Sequence, residues 1–285
     1  MSDNDLGIVY VVATPIGNLE DLSPRAARLL GEVALIAAED TRHTARLLRH
    51  LGLVVPLMSL HEHNEAARVD QLDERLLQGD SIALVSDAGT PLISDPGFVL
   101  VRELRRRGRR IVPVPGACAL VAALSAAGLP TDRFLFQGFL PAKSGARRQR
   151  LEALLERGET LVFYESPHRI RETLEAMAAL FDKRRMVLAR ELTKTFETFL
   201  DGDAASILAC MEADPDQARG EFVIMLAGAE PRDEAQSAEV EGAALLATLL
   251  EEGVGVKQAA SIAARLLGGT KKGWYAQAQT LKEKR

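Results

Sequence analysis

Residues 82–97 read IALVSDAGTPLISDPG, an apolar run followed by a long polar loop. The apolar run predicts a strand, and residues 98–107 beyond the loop have the pattern of a helix. The loop itself, residues 86–97, is longer than the roughly two to six residues that usually join a strand to a helix. Its two glycines, two prolines, two aspartates and two serines form turns and bury little apolar surface.

This loop is predicted to bind a small molecule, because open α/β sheets bind ligands outside the carboxyl ends of their strands. It contains Asp87 and Asp95 but no lysine or arginine, so a neutral or cationic ligand such as an adenosyl sulfonium fits better than a phosphate. The chain also lacks the GxGxxG and GxxxxGK[ST] patterns, which counts against NAD and ATP. The same composition fits an inert surface loop whose aspartates only cap turns.

The segments before and after the loop predict an α/β fold. Helical patterns separate short apolar runs that are rich in β-branched residues, and this alternation favours a mostly parallel sheet with right-handed crossovers. The predicted strands are residues 8–13, 33–38, 57–60, 82–85 and 111–114.

The rest of the chain predicts a second α/β domain and a tail. A break at PVPGACAL separates an N-terminal domain, residues 1–115, from a second domain, residues 116–228, whose longer connections suggest antiparallel or mixed strand pairing. Residues 229–241 are acidic and poor in apolar side chains, so a linker is predicted there. Residues 242–285 predict a helical tail, which is either a helix-turn-helix or a packing or dimerisation bundle.

Composition sets limits on the class of protein. The 285 residues are 47% apolar and 26% charged, which is typical of a globular chain. The sequence has no membrane-length apolar run, and its N-terminus is acidic, unlike a signal peptide. The two cysteines lack the spacing of metal ligands, so a cytoplasmic protein without a structural metal is expected. The net charge of −5 does not indicate a nucleic-acid partner, although the basic residues are clustered.

Eight motifs in order resemble one known family. They are VYVVATPIGNLEDLSPRA, AEDTRHTARLL, SLHEHNE, SDAGTPLISDPG, VPVPGACALVAAL, FYESPHR, RELTKTFE and GEFVIML. Together they are similar to the ribosomal RNA small subunit methyltransferase I family of the tetrapyrrole methylase superfamily. The resemblance covers about residues 8–228, and the tail resembles the family's C-terminal module. It implies methyl transfer from S-adenosylmethionine to a cytidine 2′-oxygen in 16S rRNA, and a cytoplasmic homodimer that acts on the small ribosomal subunit.

The resemblance also implies which residues bind the donor, in a cleft between two α/β domains. One departure is Cys118, where the family leads us to expect serine; a backbone contact would be unaffected, whereas a hydroxyl contact would be lost. The implied donor residues are Thr14, Pro15, Gly17, Asn18, Asp87, Ala88, Gly89, Pro91, Ile93, Ser94, Ala117, Cys118, Glu165 and Ser166.

Two polar clusters, EDTRH at 39–43 and HEHNE at 61–65, follow strands of the first sheet and are predicted to reach the same edge as the loop. Transfer to a hydroxyl needs a proton acceptor in addition to correct positioning. His61, His63 and Asp40 are the candidate bases, and Arg42 is a candidate phosphate clamp. The alternative is that these clusters only form turns and cap helices.

Several basic clusters are candidate RNA contacts, although each one alone also fits a solvated face. Two other functions remain open: a methylase acting on a precorrin or uroporphyrinogen, and an RNA-binding protein without catalysis. The candidate RNA-binding residues are Arg105, Arg106, Arg107, Lys143, Arg147, Arg148, Arg150, Lys271 and Lys272.

Overall fold

The computed structural model describes residues 6–230 and 234–283 of the chain. The chain divides into two compact units, Met1–Ala229 and Glu230–Arg285. The first unit contains two five-stranded sheets, and the second contains helices with a core of their own. No helix within the described residues is long and apolar enough to cross a membrane.

The first sheet is entirely parallel, with the strand order β3-β2-β4-β1-β5. All four residues of β2 and of β4 are buried, which explains their continuous apolar runs. Its elements are β1 (Val9–Val12), α1 (Pro24–Glu32), β2 (Leu35–Ala38), α2 (Thr41–His50), β3 (Leu57–Ser59), α3 (Glu65–Leu77), β4 (Ile82–Val85), α4 (Phe98–Arg106) and β5 (Ile111–Val114).

Helices cover both faces of this sheet and form two separate apolar cores. Capping residues determine where these helices begin: the Ser23 hydroxyl accepts from the Ala26 N–H at the start of α1, and the Asp40 carboxylate accepts from the Arg42 N–H at the start of α2. Because all five strands are parallel, the loops that follow them lie at one edge. This edge carries the loop of residues 86–97, as predicted.

The second sheet is mixed, in agreement with the prediction, and has the order β6-β7-β10-β8-β9. Only the β6–β7 pair is parallel among its described pairings. Its elements are α5 (Ala119–Ala126), β6 (Phe134–Phe139), α6 (Ser144–Glu152), β7 (Thr160–Glu165), α7 (Ile170–Phe181), β8 (Met186–Arg190), β9 (Thr198–Gly202), α8 (Ala204–Ala213) and β10 (Phe222–Leu226).

Two of these elements, β9 and α8, lie between β8 and β10, within the longer connections that the sequence predicted for the second domain. Strand β9 is an edge strand with the sequence TFLDG, which is half-buried and has no apolar run to mark it. Helix α8 begins at a capping box formed by Asp203 and Ser206, which satisfies its first backbone donors.

The second unit consists of α9 (Glu234–Glu251), α10 (Val256–Leu267) and α11 (Lys271–Glu283). Its small core contains Leu246, three alanines of α10 and the side chain of Trp274, whose indole N–H donates to the Gly268 carbonyl at 2.7 Å. Of the predicted linker 229–241, residues 231–233 lie outside the described residues, and residues 234–241 are part of α9.

Candidate functional site

Two loops of the first sheet are joined by a pair of backbone hydrogen bonds. The Thr14 N–H donates to the Gly89 carbonyl at 2.8 Å, and the Gly89 N–H donates to the Thr14 carbonyl at 3.0 Å. Gly89 has φ +78°, and a Cβ there would lie 3.2 Å from Cγ2 of Ile16. The bridge therefore needs glycine, both for its backbone conformation and for the close approach of the first loop.

A cavity of about 310 Å³ lies beside this bridge, within the usual size range of small-molecule sites. Residues from both sheets line it. Among these lining residues, none is a lysine, arginine or histidine, and most of the wall is apolar. They are Ile16, Ala88, Gly89, Thr90, Ile93, Ser94, Asp95, Cys118, Ala119, Phe139, Tyr164, Glu165, Ser166, Pro167, Leu192, Glu221, Phe222 and Val223.

Many of the predicted donor residues meet at this first cavity, and others lie close to it. Ala117 is not a lining residue, but its carbonyl accepts from the Thr90 hydroxyl at 3.0 Å. Neither Pro91 nor Asn18 lines the first cavity. Thr14, Pro15, Gly17 and Asp87 line a neighbouring cavity instead. The predicted donor residues that line the first cavity are Ala88, Gly89, Ile93, Ser94, Cys118, Glu165 and Ser166.

Burial changes the acidity of two side chains in the first cavity. It raises the pKa of Asp95 to about 6, with a smaller contribution from the nearby Glu39 and Asp87 carboxylates. Burial also raises the pKa of Tyr164, so its hydroxyl stays neutral and accepts from the Leu120 N–H at 3.0 Å. The cavity wall thus offers a carboxyl and a phenol without a buried cation.

Glu165 lines the first cavity, but its carboxylate is held by the protein. One oxygen accepts from the Ser166 N–H at 2.9 Å and the other from the Thr173 hydroxyl at 2.7 Å. The side chain is fully buried, and Arg169 lies 3.6 Å from it. These contacts fix the turn after β7, so the main effect of Glu165 is to shape the wall.

A second cavity of about 640 Å³ adjoins the first. The two share Ile16, Ala88 and Glu221 as lining residues, so they meet at these three side chains. In contrast to the first, the second cavity has basic side chains. Its lining is Thr14, Pro15, Ile16, Gly17, Leu19, His43, Thr44, Arg46, Leu47, Ser86, Asp87, Ala88, Lys194 and Glu221.

His43 is a site residue that the sequence analysis did not single out. It lies in the first turn of α2, and its Nδ1 is 3.4 Å from Oδ2 of Asp87. The other oxygen of Asp87 accepts from the Asp40 N–H at 2.9 Å. The motif EDTRH contained the signal, but which of its side chains faces a cavity depends on how α2 is rotated after its cap.

The predicted catalytic residues are not brought to the two cavities. The Arg42 guanidinium and N–H hold the pKa of the Asp40 carboxyl well below its usual range, so Asp40 is a weak proton acceptor that caps α2. The His61 N–H donates to the Asn64 side-chain oxygen at 2.9 Å, and His63 is exposed in the same turn. The structure therefore favours the turn-and-cap interpretation for these side chains.

The segment RELTKTFE also reaches the site, through the loop after β8. The Thr193 hydroxyl accepts from the Asn18 N–H at 3.1 Å. Lys194 forms ion pairs with Glu191 at 2.9 Å and with Glu221 at 2.8 Å. Glu191 and Thr193 both have positive φ, 51° and 65°, which is strained for residues with a side chain. The Asn18–Thr193 hydrogen bond holds this loop against the loop that follows β1 in the first sheet.

The basic clusters differ in how free their charges are. Arg147 departs from the expected surface role, because it is buried against α7 and forms an ion pair with Glu172 at 2.8 Å. Arg106, Arg107 and Arg148 are paired with carboxylates on their own or a neighbouring helix. Of the candidate RNA-binding residues, those that are exposed and have no carboxylate partner in the described part of the chain are Arg105, Lys143, Arg150, Lys271 and Lys272.

No cluster of three metal-ligating side chains occurs among the described residues.

Two protein-family models match the sequence. That of the Tetrapyrrole (Corrin/Porphyrin) Methylases matches residues 8–208, and that of the RsmI C-terminal HTH domain matches residues 235–282.

Relatives match the chain over nearly its whole length. Ribosomal RNA small subunit methyltransferase I of Pseudomonas aeruginosa is 53% identical over 273 residues, which are 95% of this chain and 96% of the relative. The protein of the same name from Xylella fastidiosa is 52% identical over 94% of this chain and 98% of the relative. The structure of uroporphyrin-III-C-methyltransferase from Thermus thermophilus covers 78% of this chain and 94% of its own, with TM-score 0.55 and 23% identity. That structural likeness shows the fold alone.

Proposed function

The chain belongs to the ribosomal RNA small subunit methyltransferase I family, within the tetrapyrrole methylases, and is an rRNA methyltransferase; from this premise we propose that it transfers a methyl group from S-adenosylmethionine to a cytidine 2′-hydroxyl of 16S rRNA. The observation that carries the proposed donor is the first cavity. It lies at the carboxyl edge of a parallel sheet and has no basic residue among its described lining residues.

The residues of the first cavity suit the donor. The sulfonium of S-adenosylmethionine supplies an electrophilic methyl group. Because a sulfonium is a cation, it is bound better by carboxyl groups and carbonyls than by lysine or arginine. Asp95 offers a carboxyl, and the apolar lining around Ile93 and Val223 keeps water from the donor. The absence of a side chain at Gly89 lets Ile16 pack closely against the bridge at the cavity wall. Cys118 offers the wall an apolar atom where the family leads us to expect a hydroxyl.

The acceptor assignment follows from the family and from the free basic residues. Exposed cations such as Lys143, just before α6, and Arg150, on α6, can neutralise RNA phosphates in a chain whose net charge is −5. No observation favours the alternative of a tetrapyrrole substrate over rRNA. The likeness to tetrapyrrole methylase structures is at 23% identity and concerns the fold.

The direct test is methyl transfer from donor carrying a tritiated methyl group. Purified protein is incubated with small ribosomal subunits, with naked 16S rRNA and with uroporphyrinogen in parallel. We expect label in the rRNA, located at one cytidine by nuclease digestion and mass spectrometry of the 2′-O-methylated nucleoside. Label in the porphyrinogen and none in RNA would contradict the proposal.

We further propose that the protein acts as a cytoplasmic homodimer, on the strength of the family resemblance. Exposed apolar side chains on the second sheet and α5, such as Val121 and Phe134, are consistent with a contact between copies. Light scattering coupled to gel filtration tests this point, and a mass of 30.9 kDa in solution, that of one chain, would contradict it.

A further inference from the structure

His43 and Asp87 form a pair fixed between two loops of the first sheet. The Asp87 carboxylate accepts from the Asp40 N–H at 2.9 Å with one oxygen, and the other oxygen lies 3.4 Å from Nδ1 of His43. The backbone N–H of Asp87 in turn donates to the Glu39 carboxylate at 3.4 Å. Both side chains of the pair keep part of their surface exposed, 51% for His43 and 35% for Asp87. The pair is therefore held in position and still accessible to a ligand.

The nearby Asp87 carboxylate also favours one state of the imidazole. A carboxylate beside Nδ1 favours the tautomer with the proton on Nδ1, so Nε2 keeps a free lone pair. Such an aspartate also stabilises the imidazolium that forms once Nε2 takes up a proton. His43 is thus arranged as a proton acceptor.

The position of His43 matches what the transfer needs. It lines the second cavity, which shares Ile16 and Ala88 with the first cavity, so a group bound in the second cavity would lie next to a donor bound in the first. Two other side chains of the second cavity can accept a proton, Asp87 and Glu221. Asp87 is engaged by His43 and the Asp40 N–H, and Glu221 by Lys194. This leaves His43 as the acceptor with a free site.

We propose that the second cavity receives the ribose of the acceptor nucleotide and that His43, oriented by Asp87, takes the proton of its reacting hydroxyl. The inference rests on the proposed function. The reaction forms one O–C bond and breaks one S–C bond, whose electron pair stays on sulfur. The hydroxyl proton moves to Nε2 of His43, so the positive charge of the sulfonium reappears on the imidazolium next to Asp87. Arg46, which has no carboxylate partner in the described part of the chain, lies at the same cavity for the adjoining phosphate.

Other carboxylates fit this role less well. Asp40 is occupied by Arg42 and lines neither cavity. Asp95 lines the donor cavity and not the second one, so the donor itself would contact it. His61 and His63 lie outside both. Among the candidates, His43 alone combines the second cavity with an orienting partner.

The experiment compares His43→Ala and His43→Gln with the wild-type protein in single-turnover methyl transfer at saturating donor. The matched control is His50→Ala, which removes an exposed histidine from the same helix. We expect the rate to fall about 100-fold in both His43 variants, the usual scale for loss of a general base, with donor affinity changed less than twofold by calorimetry. Added imidazole should restore part of the rate of His43→Ala, and His50→Ala should match the wild type.

A second readout does not depend on turnover. In the donor-free protein, nitrogen-15 NMR should find the His43 proton on Nδ1, and Asp87→Asn should shift it toward Nε2. Wild-type protein that methylates no rRNA would overturn the proposed function itself. Wild-type transfer combined with a His43→Ala rate within threefold of it, or with a proton found on Nε2, would overturn only this inference. A slow His43→Ala that imidazole does not restore, with normal rates in His43→Gln, would show a packing role and also overturn it.

Discussion

The backbone N–H of Asn18 donates to the hydroxyl of Thr193 at 3.1 Å and so joins two loops that lie 175 residues apart. Asn18 belongs to the loop after β1, and Thr193 to the loop between β8 and β9. Each loop also contributes one apolar side chain to the first cavity, Ile16 from the loop after β1 and Leu192 from the loop after β8. This hydrogen bond therefore holds the two sides of the cavity together, and its loss should affect donor binding.

Thr193→Val tests that link, because valine keeps the β-branched shape and removes only the acceptor oxygen. Leaving the Asn18 N–H without its partner should lower the free energy of unfolding by about 1 kcal/mol, measured in urea. Donor affinity, measured by calorimetry, should fall by up to about tenfold, the change that corresponds to about 1.4 kcal/mol of binding free energy. The control is Thr195→Val, an exposed neighbour without a described hydrogen bond. Equal affinities in the two variants would contradict the link.

Gly89→Ala tests the bridge between the loop after β1 and the loop of residues 86–97. Two effects are expected: backbone strain at φ +78°, and a methyl group 3.2 Å from Ile16 at the cavity wall. Gly108→Ala separates them, because Gly108 has φ +74° and open space around it. Both variants should lose about 1 kcal/mol of unfolding free energy to strain, and only Gly89→Ala should also lose donor affinity. A similar loss of affinity in Gly108→Ala would show a general effect of strain.

The sequence allowed the first sheet and the long loop after β4 to be predicted, because strands buried on both faces produce apolar runs that need no tertiary information. The half-buried edge strand β9 has no such run, so its pairing with β8 could not be seen. Side-chain roles were harder still. The cluster around Arg147 has the pattern of a basic surface, and only the packing of α6 against α7 buries that arginine. His43 was overlooked for the same reason, since the rotation of α2 decides which residues of EDTRH face a cavity.

Two substitutions of Asp40 distinguish a capping role from a catalytic one. Asparagine at this position can still accept from the Arg42 N–H, so Asp40→Asn should keep the start of α2 and methyl-transfer activity within about threefold. Asp40→Ala removes the cap and should lower the urea midpoint of unfolding. If Asp40 were the proton acceptor, Asp40→Asn would instead lose about 100-fold or more in rate while folding normally.

Arg147 offers a test of stability that is unrelated to RNA. Its Nε and Nη1 are buried without a hydrogen-bond partner among the described residues, although Nη2 pairs with Glu172. Arg147→Met fills the same space without buried donors and should be neutral or stabilising, whereas Arg147→Ala leaves a cavity and should cost about 2 kcal/mol. Neither should change the salt dependence of RNA binding. A Lys143→Ala, Arg150→Ala variant should reduce that dependence, because both side chains are exposed.

Asp95 makes the stability of the protein depend on pH in a direction that can be derived. Burial raises its pKa to about 6, so the folded protein favours the neutral carboxyl more than the unfolded chain does. The stabilisation that comes from the neutral carboxyl is fully present below about pH 4, near the ordinary pKa of an aspartate, and is lost as the pH rises through 6. Asp95→Asn imitates the neutral form and should remove this loss.

At pH 8 we therefore expect Asp95→Asn to exceed the wild type by about 1 kcal/mol in unfolding free energy, a value reduced for the partial solvent exposure of the side chain. At pH 4 the two proteins should unfold at nearly the same urea concentration. Glu39 and Asp87 also repel the charged Asp95 carboxylate. In a protein that carries Asp87→Asn, one of these repulsions is absent, so Asp95→Asn should raise the unfolding free energy at pH 8 by less. A difference between Asp95→Asn and wild type that is the same at both pH values would show that the carboxyl of Asp95 does not titrate with folding.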